Sequence, residues 1–242
     1  MPVLSDLEPR EVFAWFERLC AIPHGSHHAK AISDYLVAFA RERGLACRQD
    51  AANNVVIRKA ASAGYENAPV VMLQGHIDMV CEKDTDCGKD METEGLDLFV
   101  DGDVIGARGT TLGGDDGIAV AMALAVLDAD DIPHGPLECV FTADEEVGMI
   151  GARALDASDL KAKYLINIDS EEEGVLTVSC AGACRTLCTL PVTRVPFDGQ
   201  TLRVRISGLV GGHSGEEIHK GRANANLLLG RALDEMSRAG AL

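Results

Sequence analysis

Imidazoles and carboxylates gather in four short clusters along the chain. Gln74-Gly75-His76-Ile77-Asp78 sets an imidazole two residues before a carboxylate. On an extended backbone both side chains project to the same side, so Asp78 can orient the ring through one nitrogen while the other binds a cation. Gly109-Thr-Thr-Leu-Gly-Gly-Asp-Asp-Gly117 brings Asp115 and Asp116 to the start of an apolar run. A glycine-rich loop before a helix can cradle phosphate, but two acids at that terminus repel it, and no Lys-Ser/Thr follows at nucleotide-loop spacing. That leaves these acids as a helix cap or as carboxylates that hold a cation. Asp144-Glu145-Glu146 and Asn167-Ile168-Asp169-Ser170, the latter running on into three glutamates, complete the set. Each cluster alone reads as solvated surface. Jointly they would crowd carboxylates at one sheet edge, which is costly unless cations neutralise them. One histidine with several carboxylates makes a mixed N/O site suited to zinc or manganese. Two cations sharing a carboxylate would supply a metal-bound hydroxide and a Lewis acid for a carbonyl. Adjacent side chains diverge on an extended segment, so Glu145 and Glu146 can divide the work of general base and ligand.

The elements between the clusters must position them. Periodicity predicts helices at Glu8–Cys20, His28–Arg43, Ile118–Leu127, Ile150–Leu155 and Ala223–Arg238. It predicts strands at Val55–Arg58, Val70–Leu73, Leu137–Thr142, Tyr164–Ile168, Val175–Cys180 and Thr201–Ser207. Residues 82–103 read as a polar surface loop with a small hairpin. The four clusters are read as falling just after strands, where open α/β sheets bind their ligands. The fold class is therefore α/β: a mixed, mostly parallel sheet with helices on both faces. The texture changes after about residue 190, where Pro191, the turn Val195-Pro-Phe-Asp-Gly199 and the glycine-rich loop Gly208–Gly215 begin a second, α+β domain.

Bulk composition narrows the partners. The 242 residues carry 22 Lys+Arg against 38 Asp+Glu, a net charge of −16, which repels nucleic-acid phosphates and anionic membrane surfaces. Neither partner is expected. The 47% hydrophobic content can build a core, and the longest apolar runs are too short to span a bilayer. The start MPVLSDLEPREVF has no basic segment leading into an apolar run, so the expected location is the cytoplasm. The eight cysteines then read as reduced thiols. Cys180, Cys184 and Cys188 match no metal spacing, and they read as small buried side chains sharing one face of a strand.

In order and flanks, LQGHIDMVCEK (73–83), ARGTTLGGDDGIA (107–119), HGPLECVFTADEEVGM (134–149), INIDSEEEG (166–174) and GGHSGEEIHKGRANAN (211–226) resemble the M20 family of dinuclear-metal peptidases, in its cytosolic Xaa-His (aminoacyl-histidine) dipeptidase branch. The likeness runs from Leu4 onward. It implies a zinc-exopeptidase-like fold and hydrolysis of dipeptides by a metal-bound hydroxide, with two zinc ions or manganese or cobalt in their place. By that likeness His76 ligates one metal and Asp78 orients it, Asp115 bridges both, and Asp169 completes the first site. Glu146 binds the second metal and Glu145 is the general base. The likeness also implies a cis peptide between Asp115 and Asp116, a role for His213 as the lid histidine that stabilises the developing oxyanion, and a homodimer through the lid. Asn224 and Asn226 read equally as helix surface, and His24, His27, His28, His134 and His219 take no role.

The family's second metal draws its last ligand from a histidine near the end of a longer chain, and no histidine follows His219 here. The expectation is a catalytic domain over 1–188 without its returning segment, the beginning of a lid over 189–242, and one metal site that assembles without the other. The same fold would also serve an N-acyl-amino-acid deacylase, and an inactive fragment binding one metal is a further alternative.

Overall fold

The structure, a computed structural model, describes residues 2–170, 172–179, 182, 186–212 and 217–240. They form two compact units, Met1–Cys180 and Ala181–Leu242.

In the first unit, α1 (Arg10–Cys20) follows Pro9 and buries Trp15, Phe16, Leu19 and Cys20, an i, i+1, i+4 stripe along one side. α2 (Lys30–Glu42) buries Ile32, Leu36, Val37, Phe39 and Ala40 and stops before Gly44, whose φ is +64°. The strands are β1 (Ala46–Gln49), β2 (Val55–Lys59), β3 (Val71–His76), the hairpin β4 (Leu98–Asp101) and β5 (Val104–Ala107), β6 (Leu137–Thr142) and β7 (Tyr164–Asn167). The remaining helices of this unit are α3 (Gly114–Asp128) and α4 (Ile150–Ala154). One five-stranded sheet runs β1-β2-β6-β3-β7, and β4-β5 stand apart as a pair. The sheet is mixed, as expected. β1, β2 and β6 pair antiparallel, while β6, β3 and β7 pair parallel, with His76 opposite Thr142 and Gln74 opposite Asn167. The parallel trio brings three carboxyl ends to one edge.

Register sorts the two faces. Val55, Ile57, Cys139, Phe141 and Leu73 point into one core with α1, α2 and α3. α3 lies against both α1 and β3, which suits a helix that is apolar almost all round. On the opposite face Arg58 Nε donates to the buried Glu138 at 3.1 Å, and the Lys161 and Ala162 amides donate to its other oxygen at 2.8 and 3.0 Å. Asn54, also buried on that side, accepts from the Ala143 amide at 3.0 Å and donates to the Gly151 carbonyl at 2.9 Å. It thereby holds the segment between β6 and α4.

Two expected strands do not form. Val175–Cys180 and Thr201–Ser207 have no regular structure among their described residues, and Leu176 and Val178 stand 91% and 95% exposed. An alternating sequence makes a strand only where a neighbouring strand takes its hydrogen bonds, and these segments have none. Cys188 is exposed rather than buried for the same reason, while Cys180 and Cys184 lie outside the described residues. The regular elements described in the second unit are a 3₁₀ turn, Ile218–Lys220, and α5 (Ala225–Arg238). α5 is capped by the Asn224 side chain, which accepts from the Leu227 amide at 3.1 Å. Asn224 therefore serves the helix.

The fold predicts a cost for loosening the β6–α4 segment. Asn54→Ala would leave a buried amide and a buried carbonyl unpaired and is expected to lower stability by about 2–4 kcal/mol. Urea unfolding monitored by circular dichroism measures it.

Candidate metal centre

His76 ends β3 with its ring buried. Its Nδ1 lies 2.9 Å from the Asp78 carbonyl oxygen and 3.4 Å from Asp78 Oδ1, and its Nε2 lies 2.8 Å from Asp115 Oδ1. Asp78 is as deeply buried as the ring. The expected pairing is thus present, with the backbone carbonyl closer to the ring than the carboxylate. Asp78 also accepts from Ser26 Oγ at 2.8 Å and from the Glu145 and Glu146 amides at 2.9 and 3.3 Å. The two glutamates are held by their backbones, leaving their side chains free to turn elsewhere.

Asp115 and Asp116 open α3 with non-helical backbone angles, after Gly113 at φ +69°, and the peptide between them is cis. Asp115 is exposed, whereas Asp116 is buried. Asp116 packs over Gly75, where an added Cβ would sit 2.8 Å from its Oδ2. That oxygen is buried with no hydrogen-bond partner.

Two groups of donor atoms, each within 4.8 Å of one another, result: His76 with Asp115 and Glu146, and His76 with Asp116 and Asp169. The expected residues His76, Asp115, Glu146 and Asp169 are all drawn to one place. Glu145 stands beside them outside both groups. His213 lies outside the described residues.

Electrostatics follow from six carboxylates around one imidazole. Burial disfavours a charged His76, but hydrogen bonds to Asp115 and Asp78, together with their charges, outweigh it and carry its pKa up to about 11. Burial would raise Asp78 too. Its bonds from His76, the Glu145 amide and Ser26 prevail and hold it below the ordinary carboxylate range. Asp116 is pushed up to about 7, chiefly by burial, with the Asp169 and Asp115 charges adding to it. Burial first, then neighbouring acids, also raises Glu145, Glu146 and Asp169.

This donor set fits a divalent cation. With Nδ1–H donating to the Asp78 carbonyl, the Nε2 lone pair faces a carboxylate oxygen, an arrangement that needs a proton or a cation between them. The unpartnered Asp116 oxygen and the raised acids call for the same positive charge. Hard oxygen donors with a single imidazole match zinc, manganese or cobalt, which the donor set alone does not separate.

Residue-level reading missed Asp116 as a member of the cluster, although it noted both acids at the helix start. Whether the first or second acid of a Gly-Asp-Asp run turns inward depends on the backbone around Gly113. It also missed Ser26, which donates to Asp78 Oδ2. Ser26 has no spacing signal, because it reaches the centre through a loop some fifty residues away in sequence.

With these donors at the carboxyl ends of β3, β6 and β7 and at the start of α3, the chain belongs to peptidase family M20/M25/M40, whose model matches residues 72–225. It is 45% identical over 235 residues to the cytosol non-specific dipeptidase of Escherichia coli K12, across 96% of this chain and 48% of that protein. Among solved structures it resembles the aminoacylhistidine dipeptidase of Vibrio alginolyticus, with a TM-score of 0.70 and 38% identity over 95% of this chain and 47% of that one. A Staphylococcus aureus tripeptidase matches with a TM-score of 0.56 and 26% identity, over 67% of this chain and 44% of that one. The chain spans about half the length of these relatives.

The His76–Asp78 pair sets a pH signature in the presence of a chelator. His76, raised above 6.5, contributes stability that is complete below that value and lost as pH climbs through about 11. Asp78, depressed below 3.8, contributes stability that is present above 3.8 and lost as pH falls through its lowered value. The stability gap between wild type and Asp78→Asn is therefore widest between pH 3.8 and 6.5, at about 3–5 kcal/mol, and narrows on both sides. Urea midpoints across pH check it, and a gap that is flat with pH would show that the pair is not ionised.

Proposed function

We propose that the chain provides the metal-binding part of a cytoplasmic dipeptidase that hydrolyses small unblocked dipeptides, of the Xaa-His type or more broadly. The observation that carries this reading is the convergence of His76, Glu146 and Asp169, with Glu145 beside them, at the ends of three parallel strands and of Asp115 from the start of α3. The dipeptidase names of the two relatives matched along nearly the whole chain support it.

His76 and Asp169 would hold one cation, Glu146 a second, and Asp115 would bridge them, with zinc the first choice and manganese or cobalt able to replace it. When bound, such cations lower the pKa of water and polarise a carbonyl. The chain's own residues do the rest. Asp78 keeps the His76 ring in one tautomer with Nε2 turned towards the other ligands. The Glu145 carboxylate takes the proton from the attacking water and passes it to the departing amine. His213, in the lid, would stabilise the oxyanion.

Residues 1–188 belong in this reading to the catalytic domain and 189–242 to a lid through which two copies pair. Among the described residues no strand pairs with the outer edge of β7, where Leu165 is 60% exposed, which supports a catalytic domain that takes further chain on that side.

Zinc loading followed by desalting tests the reading. At least one zinc per folded chain is expected, lost in His76→Ala and retained in Glu145→Gln. Hydrolysis of free dipeptides should exceed that of N-acetylated amino acids, and Glu145→Gln should lower it by about 10²–10⁴-fold. A folded chain that holds no zinc overturns the proposal. Preference for acetylated substrates would make it a deacylase, and zinc uptake with neither activity would overturn the catalytic part alone.

A further inference from the structure

Asp78 is buried with both oxygens engaged. Oδ1 faces His76 Nδ1 at 3.4 Å and accepts from the Glu145 amide at 2.9 Å. Oδ2 accepts from the Glu146 amide at 3.3 Å and from Ser26 Oγ at 2.8 Å. Three of these four partners belong to the segments that carry the candidate ligands. The fourth, Ser26, comes from the loop between α1 and α2.

That loop is fastened independently of its hydroxyl. The Met79 amide donates to the His24 carbonyl at 3.1 Å and the Ser26 amide to the Met79 carbonyl at 3.2 Å, a short parallel bridge centred on Gly25 and Met79. The His27 amide donates to Asp144 Oδ1 at 2.6 Å, just before the two glutamates. The Ser26 oxygen is thus delivered to Asp78 by backbone pairing on both sides. Without it Oδ2 keeps only a long bond to an amide, and the carboxylate is held chiefly through Oδ1, with less to fix its last torsion. Its approach to His76 Nδ1 and its hold on the Glu145–Glu146 backbone would loosen together.

We propose that Ser26 is a positioning residue of the metal centre, acting through Asp78 to fix the His76 ring and the backbone of the glutamate pair. The inference rests on the reading of these residues as a metal site.

Cobalt(II) titration of the full chain tests it, read by affinity and by the visible absorption of the bound ion. Ser26→Ala is expected to weaken cobalt binding by about 10–100-fold and to change the absorption bands. In an Asp78→Asn background the same substitution should cost little, because its target is gone. Unfolding in the presence of a chelator measures any general loss of stability separately. If the alanine variant fails to fold, Ser26→Cys, whose thiol is a weak donor, carries the same expectation. Wild-type affinity and spectrum in the variant overturn the proposal, as does an equal loss in both backgrounds. A wild-type chain that takes up no cobalt overturns the metal reading and this proposal with it, whereas a wild type that binds beside an unaffected variant overturns this proposal alone.

Discussion

The buried Asp78 carboxylate is the constraint on which the centre depends. An ionised acid out of water is tolerated only when every oxygen is satisfied, and here the donors come from three separate stretches of chain: His76 from the end of β3, two amides from the segment after β6, and Ser26 from the α1–α2 loop. Satisfying one charge therefore fixes three backbones against each other. The positions of His76 and of the glutamates follow as consequences, since neither segment can drift without exposing Asp78 to an unpaired state. Losing one partner of a buried pair costs about 3–5 kcal/mol, a large share of a domain's net stability.

The layers on either side of the sheet make that arrangement affordable. The helical face is a continuous apolar core in which α3 packs on both α1 and β3, so the start of α3 is pressed directly against Gly75. A side chain at residue 75 would push Asp116 and Ala119 away and move Asp115 with them. The opposite face is held by polar groups, Glu138 with Arg58 and Asn54 with the β6–α4 segment, each fully paired. Such bonds are directional where apolar contacts are not, and they set the position of the loop that carries Glu145 and Glu146.

Much of this was legible in the residues because strand and helix periods are local. β6 falls where its apolar run predicts, and the four acidic or imidazole clusters do meet, while the hairpin β4–β5 only begins in the expected polar loop, β5 lying beyond its bound at 103. β1 was not legible: Ala46-Cys-Arg-Gln is too short and polar to announce a strand, and it exists because β2 offers it an edge. The converse error fell on Thr201–Ser207, whose clean alternation has no sheet to join among the described residues. Ser26 escaped because its reach to Asp78 is set by loop backbone pairing to Met79, a contact between residues more than fifty positions apart that no periodicity encodes. Asp116 escaped because inward and outward acids of a Gly-Asp-Asp run differ only in backbone angles.

The shifted acids complete the physical argument for a cation. Asp116, Asp169, Glu145 and Glu146 are all raised, and in each case burial acts first and neighbouring carboxylates add to it. His76 can neutralise one of these charges, its pKa carried up to about 11 by hydrogen bonds to Asp115 and Asp78 and by their charges. A single proton on one imidazole is too little for six carboxylates. A fold selected for stability alone would replace such acids with amides or apolar groups of similar volume, as buried ion pairs often can be replaced without loss. Their presence beside a ring whose Nε2 faces a carboxylate is the arrangement expected where divalent charge, rather than protons, balances the site.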